Sequence, residues 1–277
     1  MTNNNLFATT LFTLAIVAVV GFAATLAYAT DFAVTLDITN VAPEINYVDS
    51  TVTFTPIANS TAQAYLYFNA TDENGASDLD DTSAQITITY AAESQTSTGC
   101  SVLSSSSTER AYNCTIDIPY YFAAEQWSIN ASISDQAGAS AQNTTEIFTI
   151  NELQAAALSH ETLSFTGAPG DSDIQANQGA QVIYNLGNAA YTALDATGYN
   201  LQGVDTSAII NAGNFTMNTI ADPSGQSLSN AAAVSISGFS LDFGEAENSS
   251  VYVYLSIPAG VEPDVYNSTG NWVLDLS

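Results

Sequence analysis

The chain has 277 residues, which suits one large or two medium domains, and its 46% hydrophobic content can supply a buried core. Its 28 acidic residues face a single Lys or Arg, Arg110, so the formal net charge is −27. Nucleic acids and anionic lipid surfaces are therefore excluded as charge-driven partners, because both are bound through clustered Lys and Arg. High salt or strong acid would each relieve the self-repulsion of such a chain.

The first predicted element is an apolar helix in residues 6–28, a run without any charged side chain. Its length is that of a membrane span. Ala27, Tyr28 and Ala29 form the small-x-small pattern at which a signal peptidase cuts, although no basic residue precedes the run. Two interpretations stay open: residues 1–29 are a cleaved signal peptide, or they are retained as a membrane anchor or a pilin-like filament helix. Both predict export to the cell surface or beyond, with membrane contact only through this helix if it is retained.

Strands are predicted after residue 30, because apolar side chains recur at every second position. Such alternation is typical of a strand with one face in a core and the other in solvent. Turn signals such as Asn74-Gly75 and Pro258-Ala259-Gly260 separate the alternating runs. Short strands at this spacing predict antiparallel sandwiches. The strands are predicted at residues 50–57, 63–69, 86–90, 112–118, 127–134, 143–150, 180–186, 233–241 and 251–257.

The predicted fold is mainly β, with two antiparallel Ig-like β-sandwiches in tandem preceded by one hydrophobic N-terminal helix. The helix takes residues 1–29, the first sandwich 30–150, the linker 151–157 and the second sandwich 158–277. The linker is placed in Asn151 to Leu158, which tolerates a helix locally.

A disulfide is predicted between Cys100 and Cys114, the two cysteines of the chain. Exported proteins meet oxidising conditions, in which an even number of cysteines indicates a disulfide. Closing this loop would stabilise the fold by roughly 3 kcal/mol in the chain-entropy description. Two free buried thiols are the weaker alternative.

The densest run of oxygen ligands lies in one loop and comprises Asp72, Asn74, Asp78, Asp80 and Asp81. Calcium takes six to eight oxygens from carboxylates, amides and backbone carbonyls. The spacing of these acids does not match an EF-hand, so a solvated turn competes with a calcium site. No other cofactor is expected.

Short motifs resemble a known class of protein. Asn40-Val-Ala-Pro43, the loop at 72–79 and the stretch from Trp127 to Asp135-Gln-Ala-Gly138 resemble Ig-like or PKD-like domains of archaeal secreted and cell-surface proteins. A second domain of this type is indicated by a further set of similar motifs: Asn185-Leu-Gly-Asn188, Tyr199-Asn-Leu201, Ile257-Pro-Ala-Gly260, Tyr266 and Trp272. The resemblance covers most of residues 30–277 through short, degenerate motifs. It implies a secreted sandwich fold and a surface role without catalytic activity.

N-glycans are predicted on some of the Asn-x-Ser/Thr sites, which are the acceptor motif of secreted proteins. The candidate acceptors are Asn59, Asn69, Asn113, Asn130, Asn143, Asn214, Asn248 and Asn267. Asn130 and Asn143 are expected on outward strand faces or strand ends, from which a sugar can project.

An enzyme is not expected. His160 is the single histidine, and the sequence holds no CxxC pair or Gly-x-Ser-x-Gly motif to build a zinc site or a serine triad. The resemblance and the apolar N-terminal run together imply a structural subunit of a cell-surface assembly: a filament or pilus, a sheath, or an S-layer-like array. Its main partner would be a second copy of the chain, with residues 31–38 as a donor strand. The alternative is a cell-surface adhesin or carbohydrate-binding module.

Overall fold

The computed structural model describes residues 33–50 and 52–277. The chain divides into two units, residues 1–40 and 41–277. In the first unit, residues 33–40 are exposed and have no regular secondary structure. The helix predicted for residues 1–29 lies outside the described residues. Within the described ranges, the longest helical pieces are short 3-10 turns, and none of the helices has the length and apolarity of a membrane span.

The predicted mainly β architecture is confirmed, and residues 44–150 carry its longest strands. Their bounds are β1 (Glu44–Val48), β2 (Val52–Phe54), β3 (Thr61–Thr71), β4 (Leu79–Tyr90), β5 (Glu93–Thr96), β6 (Gly99–Ser105), β7 (Glu109–Pro119), β8 (Gln126–Asp135), β9 (Ser140–Asn143) and β10 (Ile147–Ile150). A 3-10 turn, Ala76–Asp78, leads into β4.

These strands form two sheets that pack face to face. One sheet has the order β1-β3-β7-β6, and the other has the order β2-β10-β8-β4-β5 with β9 beside β8. All pairs are antiparallel except β2 with β10. Buried side chains of both sheets, including Phe68, Tyr112, Trp127 and Phe148, form one hydrophobic cluster. The alternation in β8 places Trp127 and Ile129 in this core, as the sequence pattern predicts.

Residues 156–276 form shorter strands. Their bounds are β11 (Ala156–Leu158), β12 (Ile174–Gln175), β13 (Gln181–Asn185), β14 (Leu194–Thr197), β15 (Leu201–Gly203), β16 (Ile209–Ile210), β17 (Phe215–Asn218), β18 (Gln226–Ser227), β19 (Ala233–Ser235), β20 (Asn248–Leu255), β21 (Tyr266–Ser268) and β22 (Val273–Leu276). A second 3-10 turn spans Ala212–Asn214.

The sheets of this region surround a second hydrophobic cluster. A larger sheet has the order β11-β13-β20-β17-β18 with β12 beside β20, and two three-stranded sheets have the orders β19-β14-β22 and β16-β15-β21. All of their strand pairs are antiparallel. Ile183, Phe215 and Val251 are almost fully buried in the cluster. The predicted strand at 233–241 is shorter than expected, because only Ala233–Ser235 pairs as a strand.

The stretch after β10 is not helical, although its composition tolerates a helix. Residues 151–155 have no regular secondary structure, and β11 starts at Ala156. The carbonyls of Leu153 and Ala155 instead accept backbone hydrogen bonds: Asn188 N donates to Leu153 O, and Leu186 N donates to Ala155 O. Tertiary hydrogen bonding therefore overrides the weak local helix propensity.

Candidate functional site

Three aspartates that lie far apart in the sequence meet at one end of residues 44–150. Asp72 follows β3, Asp78 ends the 3-10 turn before β4, and Asp135 is the last residue of β8. One carboxylate oxygen from each lies within 4.8 Å of the others. Asp72 is 1% exposed, Asp135 is 2% exposed and Asp78 is half-buried. We call these three residues the aspartate cluster.

Local hydrogen bonds shape the loop that carries Asp72. The Asn74 N–H donates to Asp72 Oδ1 at 2.7 Å, and the Gly75 N–H donates to Asp72 O at 3.1 Å. Gly75 has φ +117°, a conformation that side chains disfavour, so a glycine allows the chain to turn back here. The Asp78 N–H then donates to Gly75 O at 2.9 Å. This tight turn brings the carboxylate of Asp78 back toward that of Asp72.

A second turn positions Asp135. Its Oδ1 accepts the Ala139 N–H at 2.8 Å, which is a side-chain cap on the β8–β9 turn. The Gln136 N–H donates to Asp78 O at 2.7 Å and links the two turns. Leu79 also pairs with Asp135 in the register of β4 and β8. Strand pairing therefore fixes Asp135 beside Asp78.

The electrostatics of the cluster are unfavourable without a counter-charge. Burial raises the pKa of Asp78 above its usual value, and the charges of Asp72 and Asp135 raise it further. Asp72 Oδ2 is buried and, among the described residues, has no hydrogen-bond donor. A buried acceptor without a donor costs free energy.

The predicted calcium ligands are only partly brought together. Asp72 and Asp78 join the aspartate cluster, whereas Asn74 Oδ1 accepts the Val41 N–H at 2.8 Å. Asp80 Oδ1 caps Thr82, accepting its N–H at 3.0 Å and its hydroxyl at 2.7 Å. Asp135 was not among the predicted calcium ligands, although its Asp-x-x-Gly turn belongs to the motifs noted in the sequence. Linear spacing cannot reveal it, since β4 and β8 must first pair.

Asp81 lies outside the aspartate cluster and is paired with Arg110 and Tyr112. Its Oδ1 accepts hydrogen bonds from Arg110 Nη1 at 2.6 Å and from the Tyr112 hydroxyl at 2.7 Å. Burial raises the pKa of the Tyr112 hydroxyl, and its hydrogen bond to Asp81 raises it further. The one Arg of the chain is therefore held by Asp81 rather than by the aspartate cluster.

The predicted disulfide is confirmed and joins two neighbouring strands. Cys100 on β6 lies opposite Cys114 on β7, with Cα atoms 4.0 Å apart. Cys114 is fully buried, and Cys100 packs against the same core. The bond thus fixes the exposed edge strand β6 to the sheet.

A buried asparagine joins the two hydrophobic regions. Asn188 Nδ2 donates to Phe122 O at 2.9 Å and to Asn151 O at 3.1 Å, while its Oδ1 accepts the Leu153 N–H at 2.6 Å. We call this set of hydrogen bonds the joint. Two further bonds connect the same regions: Asn59 N to Leu186 O, and Ala246 N to the Tyr120 hydroxyl. The sequence marks Asn188 only as part of a motif of the resemblance and does not predict these hydrogen bonds, because an asparagine beside a glycine usually indicates a turn.

The candidate glycosylation sites differ in exposure. Asn59, Asn248 and Asn267 are exposed, whereas Asn69, Asn143 and Asn214 are half-buried. Asn113 and Asn130 lie in the central strands β7 and β8, and the Oδ1 atom of each is buried. Asn130 is on the outward face, as predicted, but its side chain is partly covered. The exposed asparagines are the sites most open to a bulky sugar.

A cavity of about 970 Å³ lies in the second region. Its lining includes Phe165, Phe215 and Trp272, and the Phe215 ring contacts Phe165 and Trp272 edge to face with ring centroids 5.4 Å and 4.9 Å apart. His160 lies on the same lining, and its Nδ1 is 2.8 Å from Ser159 Oγ. The cavity therefore combines aromatic faces with polar groups.

Comparisons with known proteins leave the family open. No protein-family model matches the chain. No curated protein matches it either. The chain is similar to the solved structure named BspA_C_mut, with 9% sequence identity, a TM-score of 0.24, and coverage of 85% of this chain and 97% of that one. A similarity of this size supports neither a fold family nor a function.

Proposed function

We propose that this chain is a non-enzymatic, extracellular structural protein that forms a subunit of a cell-surface assembly such as a filament, a sheath or an S-layer-like array. The joint carries this proposal. Asn188 is almost fully buried, and both its amide oxygen and its amide nitrogen are hydrogen-bonded to backbone groups. A fully satisfied buried polar network rigidifies its surroundings. A rigid joint suits a subunit that keeps a fixed spacing within an array.

Under this proposal, the two regions act as tandem Ig-like sandwiches outside the cell. The disulfide between Cys100 and Cys114 supports that location, since disulfides persist in oxidising compartments. Exposed acceptors such as Asn59, Asn248 and Asn267 would carry glycans there. The surplus of acidic groups would remain soluble and hydrated at such a surface.

Residues 33–38 supply a route to self-association. Val34, Leu36 and Ile38 are 78%, 82% and 76% exposed, and they alternate with Thr35 and Asp37. This is the pattern of a strand with one apolar face, yet these residues have no regular secondary structure. An apolar strand without a partner is a template for pairing with an exposed sheet edge of another copy.

Electron microscopy of the purified native protein tests the proposal. We expect regular filaments or lattices, and we expect the double variant Val34→Asp/Leu36→Asp to remain dispersed. Thr35→Asp is the matched control, because it adds the same kind of charge on the polar face of the segment. Dispersed particles of the native protein across salt and pH conditions would contradict the proposal. Assembly of the double variant would exclude this segment as the contact.

A carbohydrate-binding or adhesive role is the second candidate, and the cavity is the observation that favours it. Aromatic faces such as that of Trp272, next to polar groups, are typical of small-molecule sites. Glycan-array binding by the native protein that is lost in Trp272→Ala would support this role. The exposed Tyr47→Ala is its control, since Tyr47 lies on β1, in the other region.

A further inference from the structure

We propose that the aspartate cluster of Asp72, Asp78 and Asp135 is a calcium site. The cluster differs from the loop of five ligands that the sequence suggests, since it draws on two separate turns. The proposal is independent of the proposed function, because it concerns one end of residues 44–150 and does not require assembly.

Burial separates this cluster from an ordinary acidic surface patch. Asp72 and Asp135 are almost completely buried, and water therefore cannot fully solvate their charges. Asp72 Oδ2 is buried, and the described part of the chain offers it no hydrogen-bond donor. A carboxylate oxygen in this situation lacks the partner that buried polar groups normally have. A bound cation would supply that partner.

The protein has no cationic side chain left to neutralise the cluster. Arg110 is the only Lys or Arg in the sequence, and its Nη1 lies 2.6 Å from Asp81 Oδ1. His160, the single histidine, lies on the lining of the cavity in the second region, so within the described residues the remaining sources of positive charge for the cluster are protons and bound metal ions. Protonation would require the pKa values of buried acids to exceed the ambient pH, whereas a divalent cation neutralises the cluster at any pH at which the acids ionise.

The chemistry of the donors selects calcium. All three side chains offer carboxylate oxygens, which are hard ligands that favour Ca²⁺ and Mg²⁺ over softer metals. Three oxygens within 4.8 Å of one another lie close to the spacing of ligands around one ion with Ca²⁺–O distances of about 2.3–2.6 Å. Calcium also tolerates irregular geometry, whereas magnesium demands a nearly ideal octahedron. Ligands from two irregular turns therefore suit calcium better.

An ion at this place would cross-link the two sheets. Asp72 directly follows β3, which belongs to the four-stranded sheet. Asp78 directly precedes β4 and Asp135 ends β8, and both of these strands belong to the six-stranded sheet. The disulfide, by contrast, joins two strands of one sheet. Calcium would thus fasten the end of the sandwich that the disulfide does not reach.

The test is calorimetric titration of the metal-stripped full-length protein with CaCl₂, together with thermal unfolding in EDTA and in calcium. We expect saturable binding and a rise in Tm of about 5–10 °C when free calcium is 100 times Kd. Asp78→Asn removes one ligand charge, and among the described residues the hydrogen bonds of Asp78 in this loop come from its main chain. We expect this variant to lose both the binding and the Tm rise.

A metal site differs from a merely structural acid in that calcium reverses the order of the Tm values of the variant and the unsubstituted protein. In EDTA, Asp78→Asn should melt slightly above the unsubstituted protein, because one repelling charge is gone; in calcium it should melt below. Glu73→Gln, an exposed neighbour in the same loop, is the matched control and should keep the calcium response. Asp135→Asn, if folded by circular dichroism, should repeat the loss. Absence of saturable calcium binding by the unsubstituted protein, or undiminished binding by folded Asp78→Asn, would overturn the proposal.

Discussion

The two hydrophobic regions of this protein are built in different ways from chains of similar length. In residues 44–150, β3, β4, β7 and β8 contain 10–12 residues each. In residues 156–276, the longest strand, β20, has 8 residues. In the first region, most backbone N–H and C=O groups form hydrogen bonds between long paired strands. In the second region, many of these groups lie in loops and must find other hydrogen-bond partners.

Polar side chains take over this task in the second region. Asp264 Oδ2 accepts hydrogen bonds from Asp205 N, Thr206 N and the Thr206 hydroxyl. Asn185 Nδ2 donates to the carbonyls of Ala189 and Asp242. Hydrogen bonds from individual side chains can therefore hold the loops of a region whose strands are short. We expect the two regions to respond differently to the same perturbation.

The largest expected difference between the regions is in the free energy of unfolding that each loses when one buried phenylalanine is replaced. Phe148 and Phe215 are both almost fully buried, but Phe215 borders the cavity. We expect Phe148→Ala to lower the free energy of unfolding by about 3–5 kcal/mol, and Phe215→Ala to cost less, because fewer contacts surround a side chain beside a void. Urea denaturation measures both losses. Equal losses would show that the second core is packed as tightly as the first.

The disulfide should stabilise only the first region. Replacing both Cys100 and Cys114 with serine removes the cross-link, and we expect a loss of roughly 3 kcal/mol, since the unfolded chain regains loop entropy. Hydrogen exchange by mass spectrometry should show faster exchange in β6 and β7, with residues 156–276 unchanged. Faster exchange throughout the second region would mean that the two regions unfold as a single unit.

The joint should couple the two regions. Asn188→Ala leaves Leu153 N and the carbonyls of Phe122 and Asn151 without their side-chain partner, at a cost of about 1–3 kcal/mol. We expect differential scanning calorimetry to separate the transitions of the two regions further in this variant than in the unsubstituted protein. Asn177→Ala, which removes only exposed side-chain hydrogen bonds, is the control and should leave that separation unchanged.

The smallest expected effect is acid sensitivity in the second region. Hydrogen bonds from the Thr206 backbone and hydroxyl hold the pKa of Asp264 below its usual value of 3.8. The folded state therefore gains stability from this group above pH 3.8, and that gain is lost as the pH falls through the lowered folded-state value. Asp264→Asn should flatten this part of the Tm profile below about pH 4. An unchanged profile would remove Asp264 as the cause.

Much of the fold could be predicted from the sequence, because apolar residues at every second position directly indicate strands with one buried face. Trp127 and Ile129 on β8 show this. The Cys100–Cys114 disulfide was predicted from the even number of cysteines and the oxidising conditions expected for an exported protein. The short strands of the second region were harder to predict, since two-residue strands such as Ile209–Ile210 have no period to detect.

Only part of the candidate site could be predicted from the sequence. Asp72 and Asp78 share one loop, so their proximity could be expected from the sequence. Asp135 joins them only because Leu79 and Asp135 are partners in the β4–β8 register, a pairing that local spacing does not encode. The bridging role of Asn188 could not be predicted for the same reason, since its partners Phe122 and Asn151 belong to distant segments.

The position of Arg110 has a consequence for proteolysis. Trypsin-like proteases cut after Lys or Arg, so Arg110 offers the single cleavage point of the chain. It lies on β7, which is hydrogen-bonded to β3 on one side and β6 on the other, so cutting requires local opening. Arg110 also lies inside the loop that Cys100 and Cys114 close. A nicked molecule would therefore keep both fragments covalently joined, and one clip would not release any part of the protein.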